Sequence, residues 1–155
     1  MDKIKTYFKS LELYQQVALI GVIFLVILGV FIKPVSPVAG AAPIDIADYQ
    51  DRTDIINKNL YIMFIVINVM ELAFALIGKY IFQKSTEVLL VIWSGLSVAF
   101  LAEMFSTVKE SVSANVSSIF QVNSATFVFQ IIFGIILIVV TGVHLFYQFK
   151  NKINK

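Results

Sequence analysis

Residues 125–149 read ATFVFQIIFGIILIVVTGVHLFYQF and contain no Asp, Glu, Lys or Arg. A helix that crosses the hydrocarbon core of a bilayer needs roughly 17–25 mostly apolar residues. This stretch has that length and no proline interrupts it. It is therefore predicted to be a transmembrane helix.

Three further stretches are long and apolar enough for the same role. They lie at about 14–33, 60–82 and 88–107. The first is short in its strictly apolar part, Val17–Ile32, and extends back to Tyr14 to complete a span. An alternative for this first stretch is a signal peptide with a small-residue cleavage site at 39–41, but the basic region that precedes it is long for a signal.

These stretches predict an all-α integral membrane protein, a four-transmembrane-helix antiparallel bundle that forms a single membrane domain over residues 1–155. The expected connections are outer loops at 34–59 and 108–124 and a cytoplasmic loop at 83–87.

The composition favours the same class. Hydrophobic residues make up 59% of the 155 residues, charged residues make up 14%, and the mean hydropathy is +0.87. Soluble domains average about 45–50% apolar and about 25% charged residues. The absence of cysteine excludes disulfides, thiolate metal sites and small four-helix thiol oxidoreductases. The net charge of +2 is too small to indicate nucleic-acid binding.

The basic residues are distributed unevenly between the two predicted sides. With the N-terminus inside, the inner segments carry Lys3, Lys5, Lys9, Lys79, Lys84, Lys150, Lys152 and Lys155, and the outer segments carry Lys33, Arg52, Lys58 and Lys109. Cytoplasmic segments retain the excess of positive charge. Both termini are therefore predicted to be cytoplasmic, in the cell (plasma) membrane.

Two short amphipathic helices are expected outside the spans. In 1–16, apolar residues recur at helical spacing between lysines, which indicates either a helix on the anionic cytoplasmic leaflet or an extension of the first span. In 44–59, the same spacing predicts an outer helix that leads into the second span. The aspartates of this segment lack the glycine and closing Glu of a calcium loop, so a solvated acidic face is predicted.

Strongly polar side chains within the predicted spans mark a candidate intramembrane site. They are Asn68, Glu71, Glu103 and Gln130, with His144 as a weaker candidate near the inner boundary. Ionisable groups in hydrocarbon are costly and usually face the bundle interior or water. A polar cluster is therefore predicted in the outer half of the bundle, among the second, third and fourth spans.

Small residues share the stripes that carry these polar residues. The stripes are Asn68, Glu71, Ala75 and Gly78 on the second span, Gly95, Ala99, Ala102 and Ser106 beside Glu103 on the third, and Gln130, Gly134 and Thr141 on the fourth. Small residues let helix backbones approach, and polar side chains then bond across the interface. All three stripes are therefore expected to pack against one another.

Two interpretations of this cluster stay open. Glu71 and Glu103 could share a charge in a proton or cation site, or the cluster could simply provide hydrogen bonds between helices, which is the favoured interpretation. No Glu-x-x-His spacing indicates a metal site. The sequence also lacks nucleophile, phosphate-loop and nucleotide motifs, so no cofactor and no enzymatic activity are expected.

The expected function is that of a non-catalytic polytopic membrane protein that acts by association. It would be a small subunit or partner in a larger membrane assembly, including a membrane immunity-type protein. Its partners would be the lipid bilayer and other membrane subunits or further copies of itself, without nucleic acid. The alternative is a small oligomeric channel or a proton- or cation-coupled transporter that uses Glu71 and Glu103.

Overall fold

The computed structural model describes residues 2–77, 83–115 and 119–153. Within these ranges the elements, in chain order, are α1 Asp2–Lys9, α2 Leu13–Phe31, β1 Val35–Pro37, α3 Pro43–Ile77, α4 Gln83–Asn115, β2 Phe120–Val122 and α5 Ser124–Ile153. Gly78, which the sequence analysis placed on a packing stripe, lies outside the described residues.

Four of these helices, α2 to α5, are long and apolar enough to cross a membrane. Each contains a window whose mean hydropathy is between 2.1 and 2.5. The described part of the chain is mostly helical. The prediction of a mostly helical chain with four helices long and apolar enough to span a membrane is therefore confirmed.

The four long helices pack in a ring, in which α2 and α4 each contact both α3 and α5. The most extensive contact joins α4 to α5. Gln148 of α5 reaches Glu87 near the start of α4, whereas Phe127 near the start of α5 meets Phe105 towards the end of α4. These two helices therefore run in opposite directions.

The bundle has two ends, which are named here by what lies at them. The "sheet end" carries β1 and β2 and corresponds to the predicted outer side. The "terminal end" carries α1 and the end of α5 and corresponds to the predicted cytoplasmic side. One hydrophobic cluster, around Tyr14, Leu90 and Leu137, lies towards the terminal end, and another, around Phe64, Leu101 and Phe127, lies towards the sheet end.

At the terminal end, α1 is separate from α2. The first helix ends at Lys9 and the second begins at Leu13. The backbone N–H of Glu12 donates to Gln15 Oε1 at 3.0 Å, which satisfies a donor at the start of α2. The interpretation of 1–16 as an extension of the first span is therefore wrong, and the membrane-surface helix stays a prediction.

The predicted outer helix at 44–59 and the predicted second span form one continuous helix, α3. Its 35 residues and the 33 residues of α4 each extend about 50 Å at a rise of about 1.5 Å per residue. The hydrocarbon core of a bilayer is about 30 Å thick. Both helices therefore project beyond their apolar parts at the sheet end.

Two of the predicted loops need correction. Residues 83–87, predicted as a cytoplasmic loop, form the first turn of α4, because this segment contains neither glycine nor proline to stop a helix. Residues 108–115 of the second predicted outer loop continue α4, where Val112 packs against Val35 and Phe120 of the sheet. The polar composition of these two segments suggested loops. The burial of one face of each segment favours a helix instead.

The two strands join segments that the sequence analysis had treated as independent loops. Val35 pairs with Val122 and Pro37 pairs with Phe120 in an antiparallel register. Asn57 of α3 holds the first strand, since its Oδ1 accepts from the Val35 N–H at 2.8 Å and its Nδ2 donates to the Val35 carbonyl at 2.9 Å. The sheet is thereby fixed between the projecting parts of α3 and α4.

Candidate polar sites in the helix bundle

Asn68 of α3 and Gln130 of α5 form an amide pair across their helices. Asn68 Nδ2 donates to Gln130 Oε1 at 3.1 Å and to the Phe64 carbonyl oxygen at 2.7 Å. Both amide side chains are buried, and Asn68 Oδ1 has no hydrogen-bond partner among the described residues. Direct contact therefore brings together two of the four main predicted site residues.

Glu71 lies one turn further along the same face of α3 and is only 1% exposed. A Cβ atom built on Gly134 of α5 would lie 3.9 Å from Glu71 Oε1 and 2.7 Å from Val98 Cγ2 of α4. Because Gly134 has no side chain, it leaves room for the Glu71 carboxyl of α3 and lets Val98 of α4 approach closely.

The Ser94 hydroxyl of α4 lies near the Glu71 carboxyl without meeting it in hydrogen-bond geometry. Neither Ser94 Oγ nor Glu71 Oε2 has a hydrogen-bond partner within the described part of the chain. We refer to Asn68, Glu71, Ser94 and Gln130 as the central polar site. It joins α3, α4 and α5, and its residue on α4 is Ser94 where the sequence analysis had named Glu103.

Glu103 is not part of this site. Its side chain is exposed on α4, together with Ala99, Ala102 and Ser106 of the predicted packing stripe. The face of α4 that packs inside the bundle carries Leu90 and Leu101 instead. The stripe of small residues is therefore left outward.

A second polar cluster lies at the terminal end of the bundle. Glu87 of α4 is fully buried, and its Oε1 lies 3.8 Å from His144 Nδ1 of α5. Gln148 Nε2 donates to the same Glu87 oxygen at 3.4 Å and lies 3.1 Å from His144 Nε2. The weaker candidate of the sequence analysis, His144, thus contacts a carboxyl that the sequence analysis had placed in a loop.

The start of α2 completes this cluster. The Tyr14 ring lies 5.1 Å from the His144 ring, centroid to centroid. Gln15 Nε2 donates to Tyr14 Oη at 3.3 Å and to the Ala75 carbonyl at 2.9 Å. We refer to Tyr14, Gln15, Glu87, His144 and Gln148 as the terminal polar site. Glu87 Oε2 and His144 Nδ1 have no hydrogen-bond partner among the described residues.

An apolar layer separates the two sites. Leu90 of α4 and Leu137 of α5 are both fully buried in one cluster with Ala75 of α3. Along α4, Glu87 and Ser94 are two helical turns apart, which corresponds to about 10 Å of helix. The central and terminal polar sites are therefore not in direct contact in this conformation.

Sequence reasoning missed most of the terminal polar site. The usable signal was the spacing of Thr141, His144 and Gln148, which continues the face of α5 that begins at Gln130 and Gly134. Glu87 also lies two helical turns before Ser94 on the same face of α4. Because 83–87 had been assigned to a loop, Glu87 was not among the candidate site residues. Within the described residues, no three His, Asp or Glu side chains gather as metal ligands.

Gly134→Ala is expected to destabilise the bundle, because the added methyl group would overlap Val98 Cγ2, whose β-branched side chain has little rotamer freedom in a helix. Overpacking of this kind costs about 1–3 kcal/mol. Thermal unfolding in detergent, followed by circular dichroism, measures the loss. Val98→Ala in the same chain should restore much of it, because it removes the overlapping atom.

Gly142→Ala is the matched control on the same helix, since a Cβ at Gly142 meets no atom within 4 Å. It should leave the unfolding temperature nearly unchanged. Equal stability of the Gly134→Ala and Gly142→Ala variants would contradict the close approach of α4 and α5 at this glycine.

Comparisons with protein-family models, with curated proteins and with solved structures find no match to this chain. The function of the chain therefore has to be inferred from its own helix surfaces and polar sites.

Proposed function

We propose that this chain is a non-catalytic membrane protein that acts by association, as a small subunit or partner in a larger membrane assembly. The observation that supports the proposal is the outward face of α4 formed by Gly95, Ala99, Ala102 and Ser106, with Glu103 beside it. A Cβ at Gly95 would meet no atom within 4 Å. We refer to this surface as the open α4 face.

Helix association in membranes depends on van der Waals packing and on hydrogen bonds across the interface, and small residues permit both by letting backbones approach. The open α4 face has this character, and no helix in the described part of the chain covers it. Glu103 adds a carboxyl, which a neighbouring helix could satisfy more readily than lipid tails could. In the most apolar stretch of α4 only 22% is buried inside the bundle, which is the smallest share among the four candidate spans.

Ala99→Leu should disrupt the assembly, because a large side chain in the middle of the open α4 face keeps a partner helix away. Overpacking of about 1–3 kcal/mol corresponds to a loss of affinity of roughly 5- to 150-fold. Native mass spectrometry after extraction in mild detergent measures the species present. Wild type should appear with further copies or other subunits, and Ala99→Leu mainly as single chains.

Gly142→Leu is the control, since it places the same leucine side chain at an open position of α5, and it should keep the assembly. A wild-type chain that is monomeric in native membranes as well as after extraction would overturn the proposal, and so would an Ala99→Leu variant with an unchanged assembly.

The proposed orientation places the terminal end and both termini in the cytoplasm. The excess of lysine in the segments of that end supports it, as does the acidic character of the α3 projection, where Asp45, Asp48, Asp51 and Asp54 lie. Because the chain has no cysteine, single-cysteine variants report on sidedness without background.

An impermeant maleimide added to intact cells should label the Asp48→Cys variant and spare the Lys84→Cys variant. A permeant maleimide should label both. The reverse pattern with the impermeant reagent would show the opposite orientation.

A second candidate function is proton or cation transfer through the bundle, for which the central polar site is the supporting observation. A carboxyl that is 1% exposed within a candidate span, beside an unpartnered hydroxyl, is a costly arrangement and is a default marker of function. The exposed Glu103 does not line this site, so the candidate rests on Glu71. Transfer to the terminal end would require movement of the Leu90–Leu137 layer.

Glu71→Gln separates this candidate from a structural role, because an amide keeps the shape of the carboxyl but cannot ionise. If Glu71 carries the transferred ion, the variant should lose flux at least about tenfold in proteoliposomes loaded with a pH- or cation-sensitive dye, while unfolding as wild type does. Glu103→Gln is the matched control and should retain flux. Flux that survives Glu71→Gln, or no wild-type flux under any gradient, removes this candidate.

A further inference from the structure

The Glu71 carboxyl lies inside a candidate span, where water does not reach it. The residue is 1% exposed, and its Oε2 atom has almost no accessible surface. The same holds for Ser94 Oγ on α4, and neither atom has a hydrogen-bond partner within the described residues. An ionised Glu71 would therefore need a counter-charge or hydrogen-bond donors from the bundle itself.

No counter-charge lies close to Glu71 among the described residues. Helix α2 contains no charged residue, and α5 carries His144 and its lysines beyond the apolar layer. On the two other helices the nearest basic residues are Lys84 and Lys58. At a rise of about 1.5 Å per residue, they lie about 15 Å along α4 from Ser94 and about 20 Å along α3 from Glu71. An ionised carboxyl at this position would thus stay unpaired.

Hydrogen-bond donors are also too few to stabilise a carboxylate here. Asn68 Nδ2 already donates to the Phe64 carbonyl and to Gln130 Oε1. The hydroxyl of Ser94 is the remaining donor near the carboxyl. Buried carboxylates are stabilised by an opposite charge or by several donors, and one hydroxyl supplies neither. A carboxyl in such surroundings becomes neutral instead.

The size of the space decides which ion makes the carboxyl neutral. Glu71 Oε2 and Ser94 Oγ leave no room for a water molecule beside them, and hence none for a hydrated metal ion. The other carboxyls of α4 are distant, since Glu87 lies beyond the apolar layer and Glu103 lies on the open α4 face. Divalent cations require about six or more oxygen ligands. A proton requires one oxygen atom and no additional space.

We propose that the central polar site binds a proton, which the Glu71 carboxyl holds at neutral pH, and that the resulting acid donates a hydrogen bond to Ser94 Oγ. This single bond gives a partner to both unpartnered atoms, because a serine hydroxyl adjusts by rotation about one bond. The inference deepens the second candidate function and rests on it for transfer alone, where it names the ion as the proton. A bundle that transfers no ion would hold the same proton.

The first measurement uses the unchanged chain in phosphatidylcholine nanodiscs at neutral pH, with carbon-13 in its glutamate carboxyl groups. Exposed glutamates are ionised under these conditions. A protonated glutamate gives an infrared carbonyl band at higher frequency than either carboxylate band, and the label shifts this band. We expect a labelled acid band. Its absence would overturn the proposal without the use of any variant.

Single substitutions then assign the band to a residue. Glu71→Gln should remove it and unfold as wild type does, because the amide keeps the shape and the neutrality of the acid. Glu103→Gln and Glu87→Gln are the controls and should both retain the band. Since Glu12 and Glu110 are exposed, the two controls assign the band even if Glu71→Gln does not fold. Loss of the band in either control would overturn the assignment to Glu71.

Ser94→Ala tests the hydrogen bond. Removal of the acceptor should shift the acid band to higher frequency, because O–H donation weakens the C=O bond of the same carboxyl. Thr141→Val is the control and should leave the band in place. Thr141 is another fully buried hydroxyl without a described partner, one helical turn beyond Leu137 towards His144. Equal spectra of Ser94→Ala and wild type would overturn the assignment of the bond.

Salts and flux separate the proton from other ions and from transfer. Added sodium, potassium or calcium chloride should leave the band unchanged, and a cation that removes it would overturn the choice of the proton. An acid band in a chain without flux would support the inference and count against transfer alone. Flux in a wild-type chain whose Glu71 is ionised would overturn the inference and leave the second candidate function standing.

Discussion

The hydrocarbon core of a bilayer contains no water, and this constraint governs where the polar side chains of the four long helices can lie. Glu71 is buried between α3, α4 and α5, and Glu87 is buried beside His144 near one end, whereas Glu103 is exposed on the open α4 face. Gly134 is central to the burial of Glu71 because it lets Val98 and the Glu71 carboxyl occupy the space beside α5. The helix contacts and the central polar site therefore depend on the same close approach.

Leu90 and Leu137 lie buried in the apolar layer between these two polar sites, and their burial contributes packing that neither polar site provides. The layer also separates two groups of polar side chains. Two amides, the Glu71 carboxyl and the Ser94 hydroxyl form the central polar site, whereas the terminal polar site adds the His144 imidazole and the Tyr14 phenol to a carboxyl and two amides. Each surface or site can thus serve a separate role.

Several features were predictable because they depend on local sequence. The four apolar stretches predicted four candidate spans, and the spacing of Asn68, Gln130 and Gly134 predicted contact between α3 and α5. The outcome for α4 shows where such reasoning stops. Its two faces carry either small residues with Glu103 or leucines with Ser94 and Glu87, and periodicity alone does not say which of them the bundle buries. The choice depends on the neighbouring helices, against which Leu90 and Leu101 pack.

The sequence by itself determined that this chain is helical and apolar enough for a membrane, since hydropathy and length over about 20 residues suffice to indicate a span. Only the tertiary structure decided that β1 pairs with β2, that Glu87 meets His144, and that Glu103 stays outside. Each of these contacts joins residues far apart in the chain or selects one helix face over another. The reason is physical: periodicity records which residues share a face, whereas the position of every neighbouring helix decides what that face meets.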